Sequence, residues 1–211
     1  MRGRLAAACW IAAIALLSGC APADRAEPHL QAVADKATGS PGSGERIALT
    51  SADQQAAASG GFLPAGARSL LRVDRQLHYD DFVRDDRHVP PGDVEVAVDL
   101  RTQIISVFRA GHEIGTAVIL YGADGHDTPL GTHPVRSKVL DYRSVTYDAP
   151  MPFTLWLTDD GVAIHASDVR QGAATHGCIG VPGGFAERLY QEVEVGDPVI
   201  VVRSREPTSL S

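Results

Sequence analysis

Val94, Val96, Val98 and Leu100 alternate with Asp93, Glu95, Ala97 and Asp99. This is the period-two signature of a strand that buries one face. Two β-branched runs follow at 104–108 and 113–120, separated by Arg109-Ala110-Gly111-His112, whose glycine suits a tight reversal. The three segments predict a β-meander. A loop rich in Gly and Pro, 121–134, interrupts the pattern. Strand character resumes at 135–140, 153–157, 161–165 and 199–202. Between 184 and 193, Phe185, Leu189 and Val193 recur every four residues, which predicts a helix near the C-terminus. Upstream, Leu70, Val73, Leu77, Phe82 and Val83 fall roughly at helical spacing until Pro90-Pro91-Gly92 stops any helix. A further short helix is expected within 47–58, where Thr50 or Ser51 can cap an Ala- and Gln-rich stretch. The fold class is therefore mostly β with a minor helix, and no internal repeat is visible.

The N-terminal fifth has a different texture. Arg2 and Arg4 precede an uncharged apolar run from residue 5 to 17, then Leu17-Ser18-Gly19-Cys20. The run is too short for a membrane span and fits an export signal over 1–19. Leu-Ser-Gly-Cys resembles the bacterial lipobox, which implies lipidation of Cys20, loss of Cys9 with the signal, and a membrane-tethered mature chain. Ala21 is not the aspartate associated with inner-membrane retention. The expected location is thus the periplasm, on the outer membrane of a Gram-negative bacterium. Residues 20–68 are rich in Ala, Gly, Ser, Pro and Asp and read as a flexible linker. Residues 69–92 read as a packing extension, 93–203 as the main domain, and 204–211 as a tail.

Composition narrows the function. The 211 residues carry 19 Lys plus Arg against 26 Asp plus Glu, and hydrophobic residues make up 44%. A net charge of −7, with no basic run interleaved with aromatics, disfavours nucleic acid as a partner. Asp80-Asp81 and Asp85-Asp86 read as a solvated face. After export, Cys178 is the one thiol left besides the lipidated Cys20, alone in an oxidising compartment.

Cys178 stands in the segment His165-Ala166-Ser167-Asp168-Val169-Arg170-Gln171-Gly172-Ala173-Ala174-Thr175-His176-Gly177-Cys178. A neutral imidazole that accepts the thiol proton, or a cationic one that stabilises the thiolate, makes such a cysteine a nucleophile. His165 and His176 are both candidates for that role. Gly177 lets the backbone approach a substrate closely, and successive N–H groups there can form an oxyanion hole. A zinc site from His165, His176 and Cys178 is the rival chemistry, but the absence of a Cys-x-x-Cys partner and of a paired histidine motif argues against it. His126 and His133 lie in a loop that can approach the cleft; Trp156 and Tyr121 read as core or rim.

His165 followed after nine residues by Thr175-His176-Gly177-Cys178-Ile179 resembles the Ser/Thr-His-Gly-Cys signature of the L,D-transpeptidase (YkuD-like) catalytic domain. The resemblance extends to Asp99-Leu100-Arg101-Thr102-Gln103, Asp127-Thr128-Pro129-Leu130-Gly131-Thr132-His133-Pro134, Met151-Pro152-Phe153, Gly161-Val162-Ala163-Ile164 and Val195-Gly196-Asp197-Pro198. It implies a YkuD-like β-sandwich. It also implies Cys178 as nucleophile and His165 as proton acceptor and donor, the Ala166 carbonyl orienting the imidazole, and Thr175, His176 and Gly177 in support. By the same resemblance the substrates are peptidoglycan stem peptides, no metal or cofactor is needed, and the acyl acceptor is a stem amine, a lysine of a wall lipoprotein, or water. Gly180 stands where the family usually has Arg or Asn, so a substrate contact is expected to be missing. That departure motivates a second reading, a wall-binding lipoprotein without catalysis.

Overall fold

The computed structural model describes residues 40–41, 46–60 and 63–204. The signal segment, Cys20 and its lipobox lie outside the described residues. Among the described residues, no helix is long and apolar enough to cross a membrane.

Two sheets form the body. The larger contains β1 (Ser40–Pro41), β2 (Arg46–Ala48), β3 (Ser69–Leu71), β4 (Phe82–Arg84), β5 (Val94–Asp99), β6 (Ile104–Arg109), β7 (His112–Val118), β8 (Gly131–Pro134) and β13 (Pro198–Val202). Its strand order is β1-β4-β7-β6-β5-β13-β8, with β3 pairing both β2 and β7. The smaller sheet runs β12 (Ile179–Val181), β11 (Ala163–Ala166), β10 (Ala149–Trp156), β9 (Ser137–Ser144). One core cluster joins them: Val96, Val98, Ile105 and Val107 from the first sheet with Leu155, Ile164 and Ile179 from the second. Helix α2 (Gly183–Glu192) contributes Phe185 and Leu189 to that core, as its four-residue apolar spacing requires. Its C-terminal end is tied down where Glu192 pairs with Arg84 at 2.9 Å and Arg109 at 2.8 Å.

The meander forms as expected, β5 pairing β6 and β6 pairing β7, both antiparallel. Several expectations need correction. Residues 69–71 form β3 and 82–84 form β4, with no helix between them, and Phe82 and Val83 pair across to Ala117 and Thr116 of β7. The expected strand 135–140 starts at Ser137 and runs on to Ser144 as β9, and β8 forms within the stretch 121–134 that reads as a loop. The three-residue strand β12 was not foreseen.

The linker boundary also moves. Residues 46–68 lie within the span read as flexible, yet Arg46, Ile47 and Ala48 pair with Leu71, Leu70 and Ser69. The Arg46 guanidinium donates to the carbonyls of Glu113 and Asp85, each at 2.5 Å. Helix α1 (Ser51–Gly60) starts with a reciprocal cap: Asp53 N–H donates to Thr50 Oγ1 at 3.2 Å, and Thr50 N–H to Asp53 Oδ2 at 2.9 Å. Leu49, Leu63 and Leu70 then pack on Ala67, Ala97 and Phe108. This layer explains a further departure. Ala97, placed on the polar side of a half-buried strand, is 6% exposed because the segment covers it, and Asp99 is 8% exposed because it is enclosed by Ser204, Arg101 and Thr102, which all donate to its carboxylate. Asp85, read as part of a solvated face, is buried and held by Arg87 at 2.8 Å.

Candidate active site

Strands β11 and β12 build the site together. They pair in parallel with His165 opposite Gly180, so Cys178, immediately before β12, is brought to the end of β11 where His165 stands. His165 and Cys178 line one cavity of ≈ 540 Å³, with Ala166, Ser167, Thr175 and His176 in its wall. Tyr142, Met151 and Trp156 supply apolar wall from β9 and β10, and Tyr142 meets Trp156 edge to face at 5.1 Å. Phe153 takes φ 58 and is missing from the β9–β10 ladder, which is interrupted at this point while its register continues unchanged on either side.

His165 is 9% exposed, and its Nδ1 lies 2.9 Å from the Ala166 carbonyl oxygen. A carbonyl only accepts, so Nδ1 carries the proton and Nε2 is the basic nitrogen. Burial pushes the His165 pKa down, with the Ala166 carbonyl opposing. The Cys178 thiol is half-buried; burial pushes its pKa up, and a hydrogen bond from the Ala163 backbone opposes. Its Sγ lies 3.7 Å from the Gly161 carbonyl oxygen. Both shifts favour neutral partners.

The loop before β12 is held from both sides. Thr175 N–H donates to the Tyr121 carbonyl, Ala123 N–H to the Thr175 carbonyl, each at 3.0 Å. Thr175 Oγ1 donates to the Cys178 carbonyl at 2.5 Å. Gly177 is buried with φ 104, a backbone region in which a side chain is strained. His176 is exposed and lies between rings, stacked on Tyr147 at 4.3 Å and edge to face with His126 at 4.9 Å. The loop bearing His126 therefore does reach the cleft. His133 instead sits on β8 opposite Val199, with Nε2 3.3 Å from the Pro129 carbonyl oxygen. Trp156 lines the cavity, and Tyr121 packs on the core. Among the described residues, no group of three or more His, Cys, Asp or Glu side chains is placed to hold a metal ion.

Gly180 has a steric explanation. A Cβ there would stand 2.7 Å from Ser167 Oγ and 2.8 Å from Ser167 Cβ. Ser167 thus occupies the space into which a side chain at 180 would grow, and its hydroxyl lies 3.4 Å from His165 Nδ1. Sequence reading left Ser167 and Tyr147 without a role; a β9–β10 hairpin that returns over the cleft is a tertiary fact with no local signature.

The family model for the L,D-transpeptidase catalytic domain, YkuD, matches residues 93–201. The chain belongs to this family. Among solved structures it is similar to an L,D-transpeptidase from Stackebrandtia nassauensis, at 24% identity over 56% of this chain and 60% of that one, with a TM-score of 0.50. That likeness supports the fold. It is also similar to a mutant of an Enterococcus faecium L,D-transpeptidase, at 27% identity over 54% and 50% of the two chains with a TM-score of 0.46. An enzyme from Mycobacterium tuberculosis H37Rv gives 24% identity over 52% and 57%, and 0.48. The chain therefore spans about half to 60% of the length of these structures. No curated protein matches it.

Proposed function

We propose that this protein is a peptidoglycan L,D-transpeptidase working by cysteine acyl transfer. The observation that carries the reading is the single cavity that Cys178 and His165 both line, with Nδ1 of the histidine committed to the Ala166 carbonyl. Cys178 Sγ attacks the amide carbonyl after the diamino acid of a stem tetrapeptide while His165 Nε2 takes the thiol proton. The C–N bond then breaks, the imidazolium returns the proton to the departing D-alanine amine, and a thioester remains. An amine acceptor attacks the thioester, the C–S bond breaks, and the proton returns to sulfur through His165. The product is a 3→3 cross-link or a tethered lipoprotein; water as acceptor gives carboxypeptidase activity. The cavity lining favours a cationic amine, since it includes Asp160 and Asp168 and no Lys or Arg. Residues 1–19 direct export and Cys20 carries the lipid, placing the domain in the periplasm on the outer membrane.

The test is intact mass spectrometry after incubation with a carbapenem, an acylating probe for a cysteine in an acyl-binding cleft. One adduct on the wild type and none on Cys178→Ala, with unchanged thermal unfolding, is the expected result. No wild-type adduct would instead favour the wall-binding reading that the Gly180 departure motivates.

A further inference from the structure

We infer that Thr128, on the loop between β7 and β8, is a positioning residue that aims the Cys178 backbone N–H into the cleft as an oxyanion donor. The inference rests on the acyl-transfer reading of the same site. Thr128 is 4% exposed, so its hydroxyl has no bulk water to serve it. The Gly122 N–H donates to Thr128 Oγ1 at 3.0 Å, and Thr128 Oγ1 is 3.0 Å from the Gly177 carbonyl oxygen. Because the hydroxyl accepts from Gly122, its own hydrogen is directed to the Gly177 carbonyl. The two bonds thread a chain from one loop, through one side chain, to the peptide that precedes the nucleophile.

The consequence follows from peptide geometry. No peptide bond among the described residues is cis, so the carbonyl of Gly177 and the N–H of Cys178 point in opposite directions within one plane. Anchoring the carbonyl on the buried Thr128 side turns the N–H toward the side on which Cys178 lines the cavity. Among the described residues, no backbone carbonyl accepts from that N–H. The φ of 104 at Gly177 is the conformation that permits this rotation, and a Cβ there would meet Asp127 and His126 carbonyl oxygens at 3.7 Å. The loop is fitted closely beneath: a Cβ on Gly122 would fall 1.8 Å from the His126 carbonyl oxygen. Only a chain without a side chain at 122 can turn tightly enough to present Thr128 to Gly177.

A donor held at a fixed angle stabilises the charge that develops on the carbonyl oxygen during acylation, and plays no part in displacement at a saturated carbon. This separates the proposal from a purely structural role. In the full-length protein, Thr128→Ser and Thr128→Ala lose the same methyl and differ by the hydroxyl. The expected result is that Thr128→Ala lowers the maximal rate of acylation by a carbapenem about 10- to 100-fold at little-changed half-saturation. Thr128→Ser should stay near the wild type, and iodoacetamide should alkylate Cys178 at similar rates in all three. Wild-type acylation rates in Thr128→Ala would overturn the proposal. So would equal losses of acylation and alkylation, or failure of Thr128→Ser to hold the rate. A wild type that is alkylated but never acylated would remove the acyl-transfer reading itself.

Discussion

At residue 180 the decisive quantity is space. Family resemblance suggests an absent substrate contact, and the structure supplies the reason: Ser167 Oγ and Cβ lie within 2.8 Å of where a Cβ would go. Real Cβ atoms do not approach so closely, and both Gly180 and Ser167 sit where β11 meets β12, so neither backbone yields cheaply. Gly180→Asn is therefore expected to cost about 1–3 kcal/mol, from overpacking. The added Ser167→Gly change should recover most of that loss in thermal unfolding. Additive losses in the double variant would show that the two residues do not share the site. Neither His165 nor Cys178 could be weighed in this way from sequence. Their pairing was legible from His165 and the Thr-His-Gly-Cys run, but the direction of both pKa shifts comes from burial, which depends on what covers them.

At the scale of elements, β3, β6 and β7 meet around a buried carboxyl. Glu113 is 6% exposed; it accepts from Leu71 N–H at 2.8 Å and contacts Ser106 Oγ at 2.6 Å. Burial pushes its pKa above 4.5, and the Ser106, Leu71 and Arg46 interactions offset only part of that. A carboxyl with a raised folded pKa contributes stability that is fully present below the unfolded value near 4.5 and is lost as pH rises through the folded value. Glu113→Gln keeps the acceptor for Leu71 and has no proton to lose. Its melting temperature relative to the wild type should rise between pH 4 and pH 8. A difference that stays flat across that range would mean that the Glu113 carboxyl titrates alike in the folded and unfolded chain. The position of Glu113 directly after His112 in an alternating strand gave no sign of this, because one face of β7 is sealed by an element distant in sequence.

The whole molecule is larger than the family domain. The segment 46–71 lies outside the matched range 93–201 yet closes the outer face of the main sheet, with Leu49, Leu63 and Leu70 on Phe108 and Arg46 on two backbone carbonyls. Removing residues before 63 should expose Phe108 and Ala97 and lower the melting temperature by about 5–15 °C, from a few kcal/mol of lost apolar burial. Carbapenem acylation at 25 °C should persist, since Cys178, His165 and Thr128 are held by other elements. Unchanged melting would return this segment to the status of a linker, as its composition suggested.

The sequence by itself determined the strands whose apolar residues alternate, the amphipathic helix α2, and the cysteine–histidine motif, because each is written in neighbouring residues whose period or spacing is a local property. The tertiary structure alone decided what covers each face. Ala- and Ser-rich segments such as 46–60 carry too little hydrophobicity to announce packing, and become ordered only when a sheet edge offers backbone partners and Arg46 finds two carbonyls. Thr128 is the sharpest case. Its place in a Thr-Pro loop was visible, but its partners are Gly122 and Gly177, 6 and 49 residues away, and a bond across that separation exists only after the two loops are folded together.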